Sequence, residues 1–290
     1  MSTADESQND LAQLRAFGFN VLRLCLSWSE LEASPGVYSS MYIDRVEQIV
    51  DWADEQGAYV LLDMHQDLYS RSLLGEGAGI PPYLIPANGS DGAPAWAIIT
   101  DGWPSWGLNG IGNINPALFR ASTHLYNNTI PLGIPQGAAP GPGLQDHYIG
   151  AIAALASRFY NRSAVLGFEI MNEPNPTASG ILAFDMGRTL FDRFYARVIQ
   201  AITGVRDGKA TCNTTVPVNE SCAYPDLGIR DTRHIFFCEP SALRNQFDFS
   251  PEDAVPFTTY ANVGYSPHVY TDGVYVFLSF GYKLHTNRFP

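Results

Sequence analysis

The side chains of this chain that could do chemistry are carboxyls, imidazoles and amides placed at the ends of short apolar runs. Glu173 follows Asn172 and precedes Pro174 at the end of AVLGFEIMNEP. His65 and Asp67 close AYVLLDMHQD, Glu239 closes HIFFCEP, and His268 and Tyr270 close NVGYSPHVY, while Arg23 lies inside VLRLCLSW. A carboxyl on a proline-restricted backbone, beside an amide able to orient a hydroxyl, suits cleavage of a glycosidic bond. That reaction takes a protonated carboxylic acid to donate to the leaving oxygen, and in retaining enzymes a second carboxylate about 5 to 5.5 Å away as nucleophile. A close second carboxylate raises the acid's pKa, because two like charges resist sharing one cleft. The plainer role for Glu173 is to cap the segment after it. Any one polar residue at such a position can equally be a strand end and nothing more; four runs ending this way argue for a site.

The elements that must position these residues follow from the hydrophobic pattern. LAQLRAF with Gly18 reads as a helix running into the strand FNVLRLCLSW; a second amphipathic helix, about Met41 to Gln56, precedes the strand AYVLLDMH. Helices near Gln145 to Tyr160 and Ile181 to Val205 precede AVLGFEIMNEP and HIFFCEP, and NVGYSPHVY is the last strand. Short continuous apolar strands separated by helices are the signature of a parallel sheet covered by helices. In parallel α/β barrels the active site is assembled from the C-terminal strand tips, where these polar residues fall. Residues 66–143 break the pattern with Gly, Pro and Trp, a stretch too long for an ordinary connection and therefore expected to be functional. Its aromatics (Tyr83, Trp96, Trp103, Trp106, Tyr126) suit stacking on sugar rings or lining a lipid channel; a small satellite core is the alternative. Trp96, in GAPAW, is the one expected nearest the cleft.

Composition narrows the class. With 290 residues, 46% hydrophobic and 16% charged, the chain is globular, large enough for one sizeable core, and not disordered or coiled coil. A formal charge of −12 leaves no basic field for a phosphate backbone, so nucleic-acid binding is excluded and a neutral substrate is expected. No run approaches the roughly 18 apolar residues of a membrane span, and the polar start MSTADESQND reads as lacking a signal peptide. Cys25 and Cys238 lie in apolar runs and read as buried hydrophobes. Cys212 and Cys222 flank CNTTVPVNESC, which reads as a disulfide-closed loop. Sequons at Asn88, Asn127, Asn161, Asn213 and Asn219 exceed the roughly two expected by chance. Together they point to the secretory pathway, with an extracellular or lysosomal/vacuolar destination.

The runs GFNVLRLCLSW, DMHQDLYSR, DGAPAWAIITDGWP, GFEIMNEPNP, FFCEP and GYSPHVY resemble glycoside hydrolase family 5, and within it the endoglycoceramidase-like enzymes, over about residues 10 to 270. DMHQDLYSR is the part specific to that subfamily. The resemblance implies a (β/α)8 TIM barrel, no cofactor, and a retaining endo-β-glycosidase acting on a glycosphingolipid or other β-glycoside. By the same resemblance Glu173 is the general acid/base and Asn172 the amide that holds the 2-hydroxyl. Arg23 lies beneath the nucleophile and keeps it ionised, and His65 and Asp67 match the strand-three pair, the aspartate contacting hydroxyls of the glucose next to the aglycone. His268 and Tyr270 form the strand-six pair, the tyrosine serving the nucleophile.

Family order puts the nucleophile on strand seven, after Tyr270. Glu239 precedes Tyr270 and matches the strand-five tip, where it lines the cleft or braces loops. The twenty residues after Tyr270 hold no Glu and one Asp, Asp272. The expectation is therefore a single partial domain over 1–290. It has strands two to six of the barrel, lacks strands one, seven and eight and the nucleophile, and is inactive alone with open edges at its second and sixth strands. A fragment, a mis-spliced product and a shortened relative without activity all fit this expectation. Two other readings stay open: a glycan- or glycolipid-binding remnant without catalysis, and a metal-dependent hydrolase using His65, Asp67, Glu239 and His268.

Overall fold

In this computed structural model the residues described are 8–73, 84–86, 91–108, 115–177, 191–206, 224–241 and 260–268. Five strands, β1 (Val21–Ser27), β2 (Tyr59–His65), β5 (Val165–Glu169), β6 (Ile235–Cys238) and β7 (Val263–Tyr265), form one sheet in the order β1-β2-β5-β6-β7. Every neighbouring pair is parallel. Helices α1 (Gln8–Ala16), α2 (Trp28–Leu31), α3 (Ser40–Glu55), α5 (Leu144–Phe159) and α6 (Asp192–Thr203) alternate with them, as the hydrophobic pattern predicts. Among the described residues β1 and β7 stand at the two ends of the sheet.

Local chemistry explains where the helices begin and end. The Ser39 hydroxyl accepts the Tyr42 N–H at 3.2 Å to start α3, and Asp146 reaches back to the Gly143 N–H at 3.0 Å to start α5. Helix α6 stops at Gly204, whose φ of 72° is the left-handed conformation of a C-cap. Gly36 combines φ 67° with a close crossing, since a Cβ there would lie 2.1 Å from the Gln136 carbonyl oxygen; only glycine lets these two loops pass.

Residues 66–143 are not without regular structure. They include a short antiparallel pair, β3 (Leu84–Pro86) with β4 (Trp106–Leu108), a 3-10 turn at Ala95–Ala97, and α4 (Pro116–Tyr126), which packs on α5. Helix α4 was overlooked in the Gly- and Pro-rich reading, although its start carries the ordinary signal: Asn115 caps the Leu118 N–H at 3.3 Å and proline occupies the first turn.

The two faces of the sheet differ. Leu24, Leu26, Val60, Leu62, Met64, Phe168 and Phe236 point to the helices and are buried. Of the alternate positions Arg23, Cys25, Leu61 and His65 are half-buried, whereas Asp63 and Glu169 are buried. That second face carries the polar residues.

Candidate active site

Register brings the polar layer together. Cys25, Asp63 and Glu169 are neighbours across β1, β2 and β5, and Arg23 lies two residues before Cys25 on the same face. From there the guanidinium rises into a set of carboxyls. Its Nε donates to Glu169 Oε2 at 2.5 Å, and its Nη2 lies 3.1 Å from Asp63 Oδ2, 2.8 Å from Asn172 Oδ1 and 3.4 Å from Glu239 Oε1.

Three buried carboxyls around one guanidinium cannot all stay ionised. Burial first, and then the adjacent Glu169 charge, push Glu239 up to about 10. Asp63 is raised by burial and pulled back by His65 and Arg23. Burial would lower His65, but its 2.7 Å hydrogen bond to Asp63 prevails and raises it to about 11. Ser266, just past β7, completes the layer by donating to Glu169 Oε1 at 2.9 Å.

Glu173 lies directly above this layer. Its φ is 40°, a left-handed conformation uncommon for any residue with a Cβ and typical of strained functional positions. Its N–H donates to Glu239 Oε2 at 2.9 Å, and its carbonyl accepts from Gln66 Nε2 at 2.7 Å. Its carboxyl meets His268, with Oε1 at 2.8 Å from Nδ1, and the other imidazole nitrogen lies 3.2 Å from Glu239 Oε1. Asp67 is exposed beside it, its carboxyl raised by partial desolvation and by the Glu173 charge.

The other expected residues fall as follows. Asn172 is buried with both ends of its amide engaged, Oδ1 by Arg23 and Nδ2 by the Gln66 carbonyl at 3.0 Å; one N–H remains to reach a hydroxyl. Glu239 is 0% exposed and bonded to Arg23 and to the Glu173 N–H, the bracing arrangement of the two expected for it. Trp96 is half-buried, its ring edge-on to Trp28 and His147 and its N–H donated to the Glu32 carbonyl at 3.2 Å. Tyr270, Cys212, Cys222, Asn88, Asn213 and Asn219 lie outside the described residues, whereas Asn127 and Asn161 are exposed. Cys25 and Cys238 are free thiols.

Sequence reasoning passed over Gln66, Asp63, Glu169 and Ser266. Two of these had a readable signal, since an acid inside an otherwise apolar buried strand needs a partner. Among the described residues two trios offer ligand atoms within 4.8 Å of one another, Cys25 with Asp63 and His65, and Glu169 with Glu239 and His268. In both, carboxyls are already paired with Arg23, whose charge opposes a cation in the same place.

The raised groups set a pH dependence. Glu239 and His65 bind their protons more tightly folded than unfolded. Their stabilisation is complete below the unfolded values of 4.5 and 6.5 and is lost as pH climbs toward about 10 and 11. The melting temperature is expected to fall between about pH 5 and pH 9, with a slope of at most about 1.4 kcal/mol per pH unit for each proton. Glu239→Gln should flatten part of that slope. A level curve in the wild type would show Glu239 to be ionised against Arg23.

Parallel strands covered by helices on one face, with carboxyls and imidazoles at their C-terminal tips, define a β/α-barrel site. A family model described as cellulase (glycosyl hydrolase family 5) matches residues 1–286, and the chain belongs to that family. The family's (β/α)8 barrel accounts for the five adjacent parallel strands. The chain is similar to endoglycoceramidase I of Rhodococcus hoagii (strain 103S), 30% identical over 264 residues, which is 90% of this chain and 44% of the relative. It is also similar to a crystal structure of an endogalactoceramidase, with a TM-score of 0.70 and 31% identity over 92% of this chain and 51% of the other. Endo-glycoceramidase II from Rhodococcus sp., as a lactosyl-enzyme intermediate, gives a TM-score of 0.64 and 28% identity over 92% of this chain and 52% of that one. The chain thus spans about half the length of these relatives.

Proposed function

We propose that this chain carries the acid/base machinery of a retaining endo-β-glycosidase that cleaves the bond between ceramide and its glycan or glucose. The observation that carries the reading is Glu173, a strained carboxyl at a strand tip with His268 at 2.8 Å on one side and the exposed Asp67 on the other. Glu173 protonates the leaving oxygen of the lipid, then as a carboxylate takes a proton from the water that releases the sugar. Glu239 is 0% exposed with Oε2 turned to the Glu173 N–H and Oε1 to Arg23, so we do not assign it as the nucleophile. We place that group outside these 290 residues. The substrate class is supported by the endoglycoceramidase and endogalactoceramidase relatives, and a covalent route by the lactosyl-enzyme intermediate of one of them. The secretory pathway suits the exposed Asn127 and Asn161 sequons. Among the described residues no helix is long and apolar enough to cross a membrane.

A missing nucleophile with an intact acid can be tested chemically, because azide can enter from the face opposite the leaving group. The purified 290-residue chain is expected to leave a fluorescent β-lactosyl lipid intact on its own and, with azide, to release the lipid and form α-lactosyl azide. Glu173→Gln should lower the azide-dependent rate by about 10²- to 10⁴-fold. Unaided hydrolysis that disappears in Glu239→Gln would make Glu239 the nucleophile and overturn the assignment. Azide turnover indifferent to Glu173→Gln, or no turnover with azide at all, would overturn the acid/base role.

A further inference from the structure

We infer that Gln66 and Glu239 are positioning residues that clamp the Glu173 peptide from opposite sides and so hold its carboxyl in the productive direction. The inference rests on the reading of Glu173 as the acid/base. Left alone, this peptide has reason to relax: its φ of 40° is unfavourable for a residue with a Cβ, and the residue before a proline prefers an extended backbone. Relaxation would swing Cβ and take the carboxyl away from His268.

Both polar groups of the peptide are held against that. Glu239 Oε2 accepts the Glu173 N–H at 2.9 Å. On the other side Gln66 Nε2 donates to the Asn172 and Glu173 carbonyls, 2.7 Å each. Each half of the clamp is itself anchored. Gln66 Oε1 accepts the Tyr69 N–H at 2.7 Å and Asn175 Nδ2 at 2.5 Å, which fixes the amide so that its nitrogen must face the two carbonyls. The Glu239 carbonyl accepts the Tyr195 hydroxyl at 2.7 Å. Gln66 spends both amide hydrogens and its oxygen on protein groups, and both carboxyl oxygens of Glu239 face protein donors, so both act through Glu173.

A positioning role separates from a merely structural one by leaving group. A dinitrophenyl lactoside departs without a proton, whereas an alkyl lactoside needs the acid. In the azide-dependent reaction of the 290-residue chain, Gln66→Leu, Gln66→Glu and Glu239→Leu are expected to slow the alkyl lactoside by about 100-fold. The dinitrophenyl rate should change only a few-fold. Glu239→Gln keeps an accepting oxygen and should restore most of the alkyl rate. Equal losses on both substrates would overturn the clamp.

Hydrogen exchange at the Glu173 amide gives a readout that needs no turnover. Protection there should fall at least about tenfold in Glu239→Leu and return in Glu239→Gln, while the Phe168 amide in β5 stays protected and reports intact folding. Unchanged protection at Glu173 would overturn the clamp even in a chain that cleaves no glycoside. Lost protection without azide turnover would retain the clamp and reject the glycosidase reading.

Discussion

Arg23→Met is expected to lower the melting temperature at neutral pH by on the order of 10 °C, and the loss should shrink as the solution is acidified. Among the described residues Arg23 is the cation that meets all three of Asp63, Glu169 and Glu239, each of them buried; His65 reaches Asp63 and His268 reaches Glu239. Methionine would fill the stem's volume and remove the charge, leaving the buried Glu169 carboxyl with no counterion. Breaking a buried pair by removing one partner costs about 3–5 kcal/mol, and for a chain of this size each kcal/mol moves the midpoint by about 2–4 °C. Protonation is the escape open to the variant. Its carboxyls would bind protons at higher pH than in the wild type, so the gap between the two melting curves should narrow toward about pH 4. Arg23→Lys should fall between them, because an ammonium keeps the charge but cannot address Glu169 and Asn172 with a rigid fork. Equal melting temperatures for Arg23→Met and wild type at neutral pH would mean that the layer is already fully protonated without the guanidinium. The Glu169 charge that raises Glu239 would then be absent.

The same layer shows how far a sequence of this kind can be read. Helices α3 and α5 and strands β1, β2 and β5 were legible because the helices repeat apolar residues at helical spacing and the strands are short apolar runs, each with a cap or turn at its ends. Their polar tips were legible for the same reason, and His65, Asn172, Glu173, Glu239 and His268 do converge. What escaped was the layer beneath. Asp63 and Glu169 sit inside apolar runs, and their meeting depends on the register of β5 against β1 and β2, which lie about 100 residues or more before it in the chain. No local pattern encodes that register. Gln66 escaped for a different reason: it lies inside the conspicuous DMHQD run between two residues with obvious chemistry, and its role lies in backbone carbonyls that carry no sequence signature. Helix α4 was hidden by the Gly and Pro around it, although its own cap was in plain view.

Glu32→Leu is the substitution expected to loosen the site from outside it. Glu32 is fully buried behind β1, and its carboxyl gathers donors from three directions. Oε2 accepts the Trp28 indole N–H at 2.7 Å, and Oε1 accepts the Gly36 N–H and His147 Nδ1, both at 2.6 Å. His147 therefore carries its proton on Nδ1, and its Nε2 has no hydrogen-bond partner. Leucine would strand these donors in an apolar setting. Each orphaned donor costs about 1–3 kcal/mol, and the loss is expected to reach about 3–5 kcal/mol in total. His147→Phe should cost less, since it removes one donor and leaves two. The double variant should recover part of the sum, with a coupling of about 0.5–3 kcal/mol; strictly additive losses would show that Glu32 and His147 stabilise the fold independently. The effect should also reach the site. Trp96 hangs on the Glu32 carbonyl, and the chain just before it is tied to the loop after β2 through the Ala93 N–H on the Tyr69 carbonyl at 2.7 Å. Tyr69 in turn holds Gln66. Amide exchange at Ala93 and Tyr69 should therefore accelerate in Glu32→Leu more than at Val165, where β5 begins. A uniform rise over all three would reduce Glu32 to a contributor to global stability with no path to Glu173.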